Sequence, residues 1–178
     1  MKLRAPLCIG LSITLVAGCR TPAQEVAPGE SFVTPYMSIR APASGEWQVQ
    51  TRSDTGLVFT SGEVGSTFVA SVMLFRLGPA AKDVDPKYPD RYELLEQSIK
   101  YSTERPYPCV RYQAVSKDKR AKGAGEPQFL ELDGLYCRHP MDSSAGAVIM
   151  YSHSGLTRYA ALRAEAEAFI QNAALPAE

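Results

Sequence analysis

From residue 36 onward, hydrophobic and polar positions alternate in short runs broken by Gly, Pro, Ser and Asp. Runs at 36–40, 46–51, 56–60 and 67–77 read as strands, with Trp47 and Val49 on one side of the second. Pro42, Ser44 and Gly45, then Ser53 and Asp54, then Gly62 and Gly65 separate them. Connections so short favour antiparallel neighbours. Gly78 and Pro79 end the fourth strand, and the polar stretch up to Pro89 reads as loop.

The period then changes. Asp90, with Glu93 three residues on, has the form of a capping box, and Tyr92, Leu95, Ile99 and Ser102 follow at helical spacing. This predicts a helix from residue 90 that stops before Pro106 and Pro108. Strand patterns resume at 107–117, 128–139 and 146–153, and a last helix is expected over 157–174 with Leu162, Ala166, Phe169 and Ala173 inward. The expected fold is one α+β domain over 35–176, an antiparallel sheet of about six to seven strands packed with two helices.

A hairpin centred on Gly123 sets Cys109 opposite Cys137. On that register Val110, Tyr112, Leu132 and Tyr136 share one face, expected to be the core face. Cys109, Arg111, Gln113, Glu131, Asp133 and Cys137 share the other. Directly opposed cysteines on antiparallel strands are close enough to bridge.

The N-terminus has another character. Lys2 and Arg4 precede an apolar run at 7–18 that meets Cys19, Arg20, Thr21 and Pro22. A spanning helix needs about 20 apolar residues, so this run is short for an anchor and has the layout of a signal peptide. Leu15-Val16-Ala17-Gly18-Cys19 resembles the lipobox of bacterial lipoproteins. The resemblance implies a leader at 1–18, cut before a cysteine that carries acyl chains and holds the mature protein to the membrane. Arg20 stands where an Asp resembles an inner-membrane retention signal, so the expected address is the inner leaflet of the outer membrane, facing the periplasm. Residues 19–34, with Pro22, Pro28 and Gly29, read as a lipidated cysteine and flexible tether.

The whole chain balances 19 basic against 19 acidic residues. Loss of the leader removes Lys2, Arg4 and no acid, so the mature form has two net negative charges. Nothing there suggests nucleic acid. Of the four cysteines, Cys8 leaves with the leader and Cys19 is acylated, which leaves Cys109 and Cys137 as one disulfide in an oxidising compartment.

Catalytic patterns are sparse. G-x-S-x-G is absent, and Ser152 and His153 are strand neighbours that point to opposite faces. Ser116-Lys117-Asp118-Lys119 matches S-x-x-K only at an expected hairpin tip. His139 and His153 could face each other across a hairpin turning through 140–146, a two-histidine arrangement short of a metal site. Asp83, Asp85, Asp90 and Glu93 lack the glycine and terminal glutamate of a calcium loop. No metal or cofactor is expected. Contact residues are expected at Tyr88, Tyr101 and Tyr107, and at the basic tip Lys119, Arg120 and Lys122 beside Lys117.

Ser38-Ile39-Arg40-Ala41-Pro42, then Gly45-Glu46-Trp47, and the closing Glu165-Ala166-Glu167-Ala168-Phe169-Ile170 resemble the sandwich of PsbP, Mog1 and related small bacterial lipoproteins. The resemblance covers 36–174 in order of elements and implies an antiparallel sheet between helices. Its members are mostly binding or assembly factors, which implies a lipid-anchored periplasmic accessory module with an envelope protein as partner. The rival expectations are an envelope hydrolase using His139 or His153 with Asp142, and a purely structural envelope lipoprotein.

Overall fold

The computed structural model describes residues 24–63, 65–77, 92–119 and 128–176. Cys19, Tyr88, Arg120, Lys122 and the acids Asp83, Asp85 and Asp90 lie outside the described residues. Among the described residues ten strands and one helix follow in chain order: β1 (Gln24–Val26), β2 (Ser31–Val33), β3 (Ser38–Arg40), β4 (Trp47–Ser53), β5 (Gly56–Glu63), β6 (Ser66–Arg76), β7 (Tyr92–Ser102), β8 (Cys109–Asp118), β9 (Gln128–Arg138), β10 (Ala145–Gly155) and α1 (Leu162–Gln171).

Eight strands form one antiparallel sheet in the order β1-β4-β5-β6-β10-β9-β8-β7, and β2 and β3 pair separately. The antiparallel α+β expectation holds in this coarse form, with more strands and fewer helices than the pattern suggested. Helix α1 lies on one face of the sheet, against β9 and β10. Its Leu162, Ala166, Phe169 and Ile170 are buried, and Ala173 just beyond it is buried too, so the expected inward stripe is observed. Opposite it, alternate residues of β10 (Ala147, Ile149, Tyr151) and of β5 (Leu57, Phe59) supply the core. Phe59 meets Phe32 at 5.3 Å and Phe169 at 6.4 Å between ring centroids, while Tyr151 lies 5.8 Å from Trp47. The main chain of Ser38 exchanges two 2.8 Å hydrogen bonds with Ala174, which ties the end of the chain to β3.

Four expectations are corrected. The segment 92–102 is strand β7, paired with β8 from Tyr92↔Asp118 to Ser102↔Cys109. A bulge between Leu94 and Glu96 inserts Leu95 and breaks the two-residue alternation. That insertion is what spaces Tyr92, Leu95 and Ile99 like a helical stripe. An isolated helix of about three turns is marginal in water, whereas the strand gains ten paired residues, so tertiary pairing prevails. The last helix begins at Leu162 rather than 157.

The stretch 24–34, expected as tether, contains β1 and β2, with Val26 and Phe32 buried. Strands of three residues are too short to leave a readable period, and Gly29, at φ 71°, makes the turn between them.

The faces of the β8–β9 hairpin are the reverse of the expectation. Cys109, Val115, Glu131, Asp133, Leu135 and Cys137 are buried on the helix side, while Tyr136 on the other side is exposed. Mutual pairing of the charged residues, described next, makes their burial tolerable. Leu135 and the cysteines then give that face its apolar content.

Candidate functional site

Three places bear on function: the cystine, the polar layer beneath α1, and the sheet face that α1 leaves uncovered. Cys109 and Cys137 stand directly opposite each other in the β8–β9 register and are disulfide-bonded, with sulfurs 2.07 Å apart. Both are buried.

The polar layer is built from alternate residues of β8, β9 and β10. Asp133, 1% exposed, accepts from Arg111 Nε at 2.6 Å and from Gln113 Nε2 at 2.8 Å. Arg111 also meets Glu167 at 3.1 Å and Glu104 at 3.4 Å. Burial pulls the Arg111 guanidinium down, but the hydrogen bond to Asp133 and the surrounding acids outweigh it and hold the group above its ordinary value.

One register step along, His153 Nδ1 lies 3.3 Å from Glu131 Oε2, and His153 Nε2 lies 3.1 Å from Ser66 Oγ. Glu131 also accepts the main-chain N–H of Tyr159 at 2.6 Å and Arg158 Nε at 3.3 Å, and Arg158 Nη1 continues to Glu96 at 2.6 Å. The imidazole is packed between Phe68, 4.6 Å away, and Tyr159, 5.5 Å away. A Cβ at residue 155 would stand 2.7 Å from two ring atoms, so glycine is required there. The Tyr151 and Tyr159 hydroxyls both donate to Glu165, at 2.5 and 2.7 Å. Burial raises the Tyr151 phenol, with Glu165 adding to the shift, and the bond to Glu165 raises that of Tyr159.

Hydroxyl, imidazole and carboxylate thus follow the order of an acyl-transfer relay. The surroundings argue for another role. A cleft of about 280 Å³ between β7–β9 and the start of α1 is lined by Glu96, Gln113, Glu131, Asp133, Arg158 and Arg163, so it meets the acid and neither Ser66 nor His153. The ring itself is a buried aromatic layer. We read the chain Ser66–His153–Glu131–Tyr159 as a tie that fastens the β10–α1 connection to the sheet.

Of the histidine and aspartate grouping expected from sequence, His139 lies within electrostatic reach of Asp142 without a hydrogen bond to it, and His153 is apart from both. His153 faces Glu131, and His139 sits at the far end of β10, where its main-chain N–H donates to Ala145 O. The His139 ring donates from Nε2 to Tyr36 O at 3.1 Å and accepts the Met141 N–H at Nδ1 at 3.3 Å. Asp142 instead accepts both the N–H and the hydroxyl of Ser144, which hold its carboxyl below the usual range. Among the described residues no group of three or more His, Cys, Asp or Glu could hold a metal ion.

On the uncovered face the registers align Met73, Val148, Tyr136, Val110 and Tyr101 in one row across β6, β10, β9, β8 and β7. Tyr101 is 93% exposed, Ile99 beside it 60% and Tyr136 41%. Tyr112 meets Tyr136 edge to face at 6.1 Å. Burial raises the Tyr136 phenol and Tyr112 adds to it.

Of the expected contact residues, Tyr101 lies on this face. Tyr107 instead packs against the core, and Lys119, exposed and 3.8 Å from Glu93, is at the opposite end of the β7–β8 pair. Tyr101 and Lys119 therefore do not form one patch. Ile99, Tyr112 and Tyr136 were expected to face the core: the register grouped the two tyrosines on one face, and that face is the uncovered one. Compared with known proteins, the chain matches no family model and no curated sequence.

Proposed function

We propose that this is a lipid-anchored cell-envelope protein, held through Cys19 at the inner leaflet of the outer membrane and facing the periplasm, that serves as a non-catalytic binding or assembly module. The partner is an envelope protein, and the contact surface is the uncovered sheet face around Tyr101, Ile99, Tyr112 and Tyr136. The row Met73–Val148–Tyr136–Val110–Tyr101 carries this reading. Aromatic rings with a polar tip suit a contact that must also tolerate water, and an apolar row of this length on a sheet face is the composition of an interface core. The lipobox resemblance supports the anchor. The antiparallel sheet with a closing helix accords with a PsbP/Mog1-like module, whose relatives mostly bind or assemble.

Photo-crosslinking in intact cells tests the contact surface. A photoreactive side chain at Tyr101 is expected to capture one envelope protein distinct from the chain, separate from any adduct between two copies of the chain. The same group at exposed Ser143, in the turn before β10, is expected to capture none. Ile99→Glu is expected to reduce the Tyr101 adduct by about tenfold or more, the loss typical of a charge set into an apolar contact. Equal capture from both positions, no capture, or an adduct indifferent to Ile99→Glu would remove the proposed surface.

A further inference from the structure

The two edges of the main sheet differ sharply. β1 closes one side with three residues, whereas β7 closes the other with eleven. A long outer strand offers main-chain donors and acceptors to another strand. Among the described residues none pairs with the outer side of β7.

The charges along this edge show what fits it. Glu96, Ser98 and Lys100 point to the helix side of the sheet, opposite Val115, Gln113 and Arg111 of β8. Glu96 and Glu131 share one guanidinium, Arg158, at 2.6 and 3.3 Å, which leaves an acid in excess there. Among the described residues Lys100 makes no ion pair.

We propose that two copies of the chain associate through β7, antiparallel about a two-fold axis at Ser98, joining their eight-stranded sheets into one. That axis sets Glu96 opposite Lys100 of the second copy, twice, and each added ammonium completes the alternation Glu131, Arg158, Glu96, Lys100. It also sets Ile99 opposite Gln97 and brings Tyr101 beside Leu95. An axis at Ile99 would set Lys100 opposite Ser98, and one at Lys100 would oppose the two ammonium groups directly. An axis at Gln97 would, past the Leu95 bulge, set Lys100 opposite Glu93, which already pairs with Lys119 at 3.8 Å. Of these axes the one at Ser98 gives Lys100 an acid in excess on its own face, and opposed charges are favourable or costly by their sign. The interface is isologous, so it closes at a dimer. The proposal does not rest on the contact-face reading above, and it would place two copies of that face side by side.

Cysteine scanning of the full chain in its native envelope tests it. Ser98→Cys sits on the axis, where the two β-carbons come within about 5.5 Å, and mild oxidation is expected to yield mostly disulfide-linked dimer on a non-reducing gel. Tyr101→Cys is more exposed, yet its copies stand roughly 20 Å apart across the axis at strand rise, so it is expected to stay monomeric. Adding Lys100→Glu to Ser98→Cys is expected to cut the dimer about tenfold, because two attractive pairs become repulsive. No dimer from Ser98→Cys, equal dimer from Tyr101→Cys, or a yield untouched by Lys100→Glu would each overturn the proposal.

Discussion

Replacing Cys109 and Cys137 together with alanine is expected to lower the stability of the domain by about 3 to 4 kcal/mol. The bond spans a sequence separation of 28, and loop closure of that length limits the unfolded chain by about this much. The folded state has little means of offsetting the loss. Both residues are buried under the β10–α1 side of the sheet, so the variant also loses sulfur packing. The β8–β9 ladder still pairs from Val110↔Tyr136 to Asp118↔Gln128, which should preserve the fold while its midpoint falls. Urea denaturation of wild type and variant, each with and without reductant, measures this. Reductant is expected to shift the wild-type curve most of the way to that of the variant, which alone also lacks the buried sulfurs, and to leave the variant unmoved. A loss below about 1 kcal/mol would mean that the ladder alone holds the hairpin.

Arg111→Met is expected to cost about 3 to 5 kcal/mol, because it leaves Asp133 buried with Gln113 as its remaining side-chain partner. Removing both charges, as Arg111→Met with Asp133→Leu, is expected to recover most of that loss. A buried pair replaced by apolar groups of like size returns the desolvation cost of both ions. Arg158→Met serves as the contrast: its side chain is 48% exposed, and its pairs with Glu96 and Glu131 should contribute within about 1 kcal/mol. Chemical denaturation of the four proteins gives the comparison. A double variant no more stable than Arg111→Met would show that the polar layer contributes through its shape rather than its charge pairing.

The extent to which the fold could be read from sequence follows from what each residue reports locally. The β8–β9 register was legible because two cysteines and a glycine-centred turn constrain it together, and Cys109↔Cys137 is the register found. Its direction was not. Alternation separates two faces, but only tertiary packing decides which one meets a helix, and here the face with Arg111 and Asp133 is buried because each charge has a partner. Leu95 misled in a different way, since one inserted residue in β7 reproduces helical spacing over a single strand. Val26 and Phe32 lay in a segment whose proline and glycine content resembles a tether.

The site was less legible than the fold. His153 was noted, but Ser66 and Glu131 reach it from 87 and 22 residues away, a separation no local pattern reports. Tyr101 was singled out as a tyrosine near the end of an expected helix, a segment that is strand β7. Its neighbour Ile99 was not, because in a helix the same residue faces inward.

The proposed anchoring through Cys19 underlies the proposed envelope address, the oxidising surroundings proposed for the Cys109–Cys137 pair, and the proposed meeting with an envelope partner. The mass of the N-terminal peptide of the native protein tests it most directly. The expected peptide begins at Cys19 and is heavier than its sequence by the attached acyl chains. A peptide that begins at Met1, or one in which Cys19 is unmodified, would contradict the anchor.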